Sequence, residues 1–188
     1  ATEGVVGAAL IAATATGVDF NAHFAGAQTR LGDQLKMIAK LIAGRTALGN
    51  NRQIFFCQIG GHDTHASMLT AHANLMAELS TALMAFRNAL KDPGLNVFDE
   101  VTTFTMSDFN RTLLANGNNA TAGSDHAWGG HHLVMGGAVN GGDVYGHFPP
   151  LTTGAGIRMA TNRSTSSRID VCNSTIPCSS FGSFTWPG

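Results

Sequence analysis

Between residues 68 and 90, Met68, His72, Leu75, Leu79, Leu83, Phe86 and Leu90 recur at intervals of three and four. That spacing lays one apolar stripe along a helix of about six turns, until Asp92-Pro93-Gly94 stops it, because proline has no N–H to continue the ladder. The stripe predicts that His72 is a core histidine. A helix this long and this one-sided must bury its stripe against a second layer, and the flanking segments offer one. Gln53–Ile59 (QIFFCQI) is a short apolar run rich in β-formers, consistent with a buried strand, with Cys57 as a small core residue. Val101–Met106 (VTTFTM) and His132–Met135 (HLVM) read as further strands, and Val144-Tyr145 as a fragment of a fourth.

Strand, helix and strand in that order predict a βαβ unit with a right-handed crossover and parallel strands. The expected fold class is α/β, a mostly parallel sheet flanked by helices. A second helix is expected from Gln28 to Arg45, where Leu31, Leu35, Ile38, Leu41 and Ile42 keep the same period. Residues 1–27, rich in Gly, Ala and Thr, are expected as loop with one short helix, and residues 157–188 as an irregular tail. At 188 residues the chain suits a single domain.

Charge narrows the partners. Eleven basic and twelve acidic side chains give a formal charge of −1, so no general field favours nucleic acid or an anionic membrane. No apolar stretch approaches the roughly 18 to 20 residues of a membrane span; the best, Val5–Ala15, is about half that. Cys172 and Cys178 lie in a Ser/Thr/Asn-rich tail that suits a local disulfide in an exported protein without requiring one.

The chemistry clusters at strand ends. The first strand runs into Gly60-Gly61-His62-Asp63-Thr64-His65, the second into Ser107-Asp108-Phe109-Asn110-Arg111, and the third follows Asp125-His126-Ala127-Trp128-Gly129-Gly130-His131. Ligands of open parallel sheets bind beyond the carboxyl ends of the strands, so these loops are expected to share one crevice. Carboxylates and neutral imidazoles are what divalent cations require; Asp63, His65, Asp108, Asp125 and His126 are therefore the candidate metal ligands. Asp63 or Thr64 could instead cap the helix that follows. Arg111 and His131 are the candidate substrate-binding residues, the guanidinium fork of Arg111 matching phosphate or sulfate oxygens.

The segments RQIFFCQIGGHDTH and VTTFTMSDFNRTLLANGNNATAGSDHAWGGHHLVMGGAVNGGDVYGHFPPL, with the helix between them, resemble the domain of unknown function 1501 family over roughly residues 28–155. The resemblance implies a bacterial protein exported by the twin-arginine route to the periplasm or beyond. It also implies a fold related to the alkaline phosphatase and sulfatase superfamily, with a metal site at the strand ends. Asp108 stands where that superfamily ends a strand in an Asp-His pair; Phe109 replaces the histidine, a departure that bears against a complete two-metal centre. Family members are about twice as long, which implies that the first strand and the nucleophile lie in an amino-terminal portion outside these residues.

Two functions are thus expected. One is metal-dependent hydrolysis of a small phosphate or sulfate ester, with Zn, Mn, Mg or Ca as cofactor. The other is a non-catalytic exported module that binds partners or self-assembles as a homo-oligomer. No G-x-G-x-x-G follows a strand, which argues against a dinucleotide enzyme.

Overall fold

The computed structural model describes residues 2–127 and 130–145. Helices dominate: α1 (Thr2–Thr14), α2 (Phe20–His23), α3 (Arg30–Ala43), α4 (Arg45–Leu48) and α5 (Met68–Lys91) precede four short strands, β1 (Thr102–Phe104), β2 (Asn110–Ala115), β3 (Ser124–Ala127) and β4 (Val134–Gly136). The expected irregular tail, with Cys172 and Cys178, lies outside the described residues.

α3 forms as its period predicts. Thr29 caps it by accepting a hydrogen bond from the Gly32 amide at 3.1 Å, and Leu31, Leu35, Ala39 and Ile42 are buried along one face. That face packs on the second half of α5, where Ala82, Ala85, Phe86, Ala89 and Leu90 complete the core. The first turns of α5 do not reach it. Leu69 is 81% exposed and His72 is exposed, so His72 is not the core histidine the stripe predicted: the stripe outruns the layer that covers it.

The amino terminus holds more helix than expected. Alanine is the strongest helix former, and in α1 it also provides close contact, since Ala9 and Ala13 are buried. A Cβ on Gly44 would lie 2.2 Å from the Ala9 carbonyl oxygen, so α1 crosses the α3–α4 junction at a distance only glycine allows. α2 is capped by Asp19, which accepts from the Asn21 and Ala22 amides, and His23 at its end meets Asp92 just beyond α5 at 2.7 Å.

The parallel α/β sheet is not formed. Two separate two-stranded sheets take its place, β1 with β4 and β2 with β3, both antiparallel. A parallel pair needs a crossover connection; here the chain between β1 and β4 folds out as the β2–β3 ribbon and doubles back, pairing Thr102 with Gly136 and Phe104 with Val134. Gln53–Ile59 is extended but joins no ladder among the described residues. Phe55, Cys57 and Ile59 pack against the core, while Ile54 and Phe56 are 95% and 88% exposed. The segment reads as a buried strand in sequence, and is covered on one face. Among the described residues, the hydrogen bonds to its backbone come from one side chain, Gln34, whose carboxamide donates to the Gln58 carbonyl at 2.9 Å and accepts from the Gln58 amide at 3.0 Å. Val144-Tyr145 forms no strand.

Candidate metal centre

The ribbon is the scaffold. β2 and β3 pair Asn110 with Ala127 and Arg111 with His126, then slip in register before Ala115 meets Ser124. Ser124 is buried and is held by Thr112, its hydroxyl donating to the Thr112 carbonyl at 2.6 Å. The segment before α5 lies against this ribbon. Ala66 bridges Ala122, the Ser67 and Met68 amides donate to Thr121 and Ala122 carbonyls, and the Ser124 amide donates to Thr64. These bonds supply partners to the start of α5, which has no side-chain cap; the alternative role of Asp63 or Thr64 as a cap is not taken up. A Cβ on Gly123 would fall 2.2 Å from the His65 carbonyl carbon, so the two segments touch backbone to backbone.

This contact brings Asp63 and His65 to His126. Asp63 Oδ1 is 2.9 Å from His126 Nε2, 3.1 Å from His65 Nε2 and 2.7 Å from an Arg111 terminal nitrogen. The hydrogen bonds from His126 and Arg111, with the nearby charge of His65, lower the Asp63 carboxyl to about 2. One ligand atom from each of Asp63, His65 and His126 lies within 4.8 Å of the others. Ligand atoms about 2.1 Å from one ion stand about 3.0 to 3.4 Å apart in an octahedral or tetrahedral shell, so this donor set fits an ion after small adjustments.

The rings are oriented from behind. His65 Nδ1 faces Asp125 Oδ1 at 3.2 Å, leaving Nε2 toward Asp63. Carboxylates of this kind fix the tautomer and rotation of metal-binding histidines. The Asp125 carboxyl is itself held below its ordinary range, first by the Asn116 hydrogen bond and then by that of His65. His126 lies between two rings, with Phe109 at 4.0 Å and His65 at 4.9 Å between centroids.

The expected residues are therefore divided. Asp63, His65 and His126 come together as candidate ligands, and Asp125 stands behind His65. Asp108 is exposed and outside this group, on the turn where the Ser107 hydroxyl donates to the Phe109 carbonyl. Arg111 turns four of its five N–H donors inward, two to the His62 carbonyl, one to the Ser124 carbonyl and one to Asp63. Its guanidinium also lies 4.9 Å from the Phe109 ring centroid. His131 is exposed ahead of β4, and its neighbour His132 is pushed down by burial and then by His131. Trp128 and Gly129 lie outside the described residues. His62 contributes its carbonyl to Arg111, and its imidazole is shifted down by burial, then by His72 and Arg111.

Sequence reasoning missed the hairpin and Asn116, since the eight residues 116–123 that join β2 to β3 form no two-residue turn. It also gave no role to His23, whose bond to Asp92 lowers that carboxyl together with the Gly94 amide.

Together these features define a mostly helical chain with an imidazole and carboxylate cluster where the segment before α5 meets a β-ribbon. The family model described as "Protein of unknown function (DUF1501)" matches residues 11–167, and the chain belongs to this family. Neither the curated proteins nor the solved structures give a match. Among the described residues, no helix is long and apolar enough to cross a membrane.

Proposed function

We propose that Asp63, His65 and His126 hold one divalent cation, and that the site serves hydrolysis of a small anionic ester of the phosphate or sulfate class. The observation that carries this reading is the convergence of two Nε2 atoms and one carboxylate oxygen, with Asp125 behind His65. Two imidazoles and a carboxylate suit zinc or manganese better than calcium or magnesium, whose shells are built from oxygen. The three side chains are about half or more exposed, so the rest of the coordination sphere faces solvent. Three protein ligands with an open position are the pattern of catalytic rather than structural zinc sites.

When bound, the ion supplies Lewis-acid polarisation of an ester oxygen. The protein supplies the geometry. Asp125 keeps His65 Nε2 forward, Phe109 holds the plane of His126, and Arg111 ties Asp63 to the ribbon. The Arg111 guanidinium also adds a fixed positive charge beside the place an anionic group would take.

Calorimetric titration of the chain with zinc and with manganese tests the binding step. One equivalent should bind, and Asp63→Asn, His65→Ala and His126→Ala should each abolish uptake. Release of p-nitrophenol from its phosphate and sulfate esters then tests the reaction. Uptake indifferent to all three substitutions would remove the site, and absence of turnover by the cation-loaded full-length protein would remove the hydrolase.

A second reading, a non-catalytic module that assembles with other chains, draws on Ile54 and Phe56, exposed on an extended segment with an open backbone edge. Light scattering that finds only monomer at micromolar concentrations would count against it.

A further inference from the structure

We propose that Asn116 is a positioning residue of the cation site, acting on the ligand His65 through Asp125; this rests on the cation reading above. Asn116 stands just past β2, where the ribbon turns back toward β3. Its backbone amide donates to the Gly123 carbonyl at 3.0 Å, and its side-chain oxygen accepts from the Gly123 amide at 2.9 Å. That second bond decides which way round the carboxamide sits, because only the oxygen can accept. The Nδ2 group is thereby turned the other way, toward His65 and Asp125.

Both Nδ2 hydrogens are used there. One goes to the His65 carbonyl at 2.9 Å, and the other to Asp125 Oδ1 at 3.3 Å. Asp125 Oδ1 is the same atom that faces His65 Nδ1. A single carboxamide thus grips the backbone of the ligand residue and the carboxylate that orients its ring. With the Asn116 donor in place, the Asp125 carboxylate has one preferred rotation, Nδ1 of His65 has a fixed acceptor, and Nε2 is left to meet the cation. Asn116 touches neither the cation position nor the other ligand His126. Its effect on the His65 ring passes through this relay.

Asn116→Asp tests the relay with little change of shape. It keeps an oxygen for the Gly123 amide but sets a carboxylate oxygen against Asp125 and the His65 carbonyl, where a donor is needed. Asn116→Ala removes the relay without adding charge, and serves if the first variant folds poorly. Zinc affinity is measured by calorimetry, and the His65 tautomer by nitrogen-15 NMR of the imidazoles. Both variants should bind zinc about tenfold or more weakly, with His65 becoming a mixture of tautomers while His126 keeps its own. A purely structural role would lower the melting temperature and leave the tautomer unchanged, and that result overturns the proposal. Zinc affinity within about twofold of the parent chain in both variants overturns it as well. Failure of the parent chain to bind zinc or manganese is a different result: it overturns the cation reading, and this inference falls with it.

Discussion

The ring of Phe109 lies flat on the imidazole of His126, 4.0 Å between centroids and 5° between planes. The sequence comparison treated Phe109 as the loss of a ligand. In the structure it is a support, fixing the plane in which His126 presents Nε2 to Asp63. Phe109→Ala should free that ring. An aromatic pair contributes about 0.5 to 1.5 kcal/mol, so zinc affinity should fall on the order of two- to tenfold. Calorimetry on the variant checks the value, and Phe109→Tyr should keep the parent affinity.

Asp63 binds to three partners in its charged form. Its carboxyl, held at about 2 in the folded chain, has an ordinary value of 3.8. A depressed folded value stabilises the protein above the ordinary value, and the contribution disappears as pH falls through the folded one. Melting temperature should therefore drop between about pH 4 and pH 2, and Asp63→Asn should flatten that part of the profile. Thermal unfolding across this range, without added metal, distinguishes the two chains.

Gly123 permits the contact that assembles the site. In Gly123→Ala the new methyl would stand 2.2 Å from the His65 carbonyl carbon and 2.3 Å from the Thr64 carbonyl oxygen. Backbone cannot yield as a side-chain tip does, so the pre-helix segment must move off β3. Overpacking of this kind costs about 1 to 3 kcal/mol. Urea unfolding should show that loss, and zinc uptake should weaken with it.

The two halves of α5 should respond very unequally to the same truncation. Leu90 is fully buried, and Leu90→Ala should cost about 2 to 5 kcal/mol in urea unfolding. Leu69 is 81% exposed, so Leu69→Ala should change stability by no more than about 0.5 kcal/mol.

Those halves also explain what could be read from the residues alone. Periodicity reports which side of a helix is apolar, and α3 and α5 follow it closely. It does not report how far the covering layer extends, and so His72 was assigned to a core that stops short of it. Gln53–Ile59 reads as a buried strand; its backbone is extended, but it forms no strand among the described residues and is covered on one face only. Its pairing depends on a neighbour that no local pattern specifies. β2 and β3 were hidden for another reason: Asn110–Ala115 runs from polar to apolar residues without alternating, Ser124–Ala127 is mostly polar, and the pair is slipped in register, so they lack the alternation of a half-buried strand. For the site, residue type and clustering pointed alike to Asp63, His65, Asp108, Asp125 and His126; the structure gathers Asp63, His65 and His126, sets Asp125 behind His65 and leaves Asp108 outside. The arrangement of Asp125 behind His65, the closure by Gly123 and the grip of Asn116 arise from the ribbon, and that could not be read before the ribbon itself was seen.

The single carboxamide beside Gln58 has a consequence for exchange with solvent. In the absence of a ladder, amide hydrogens along Gln53–Ile59 should take up deuterium nearly as fast as those of a free peptide, Gln58 alone lagging because Gln34 accepts its hydrogen bond. A brief deuterium pulse read by NMR would show that contrast against the protected amides of Ala85–Leu90, and Gln34→Ala would erase the lag. The same pulse could then serve as a footprint: any polypeptide strand that aligns with this edge would announce itself as slowed labelling at alternate residues, on whichever side it pairs.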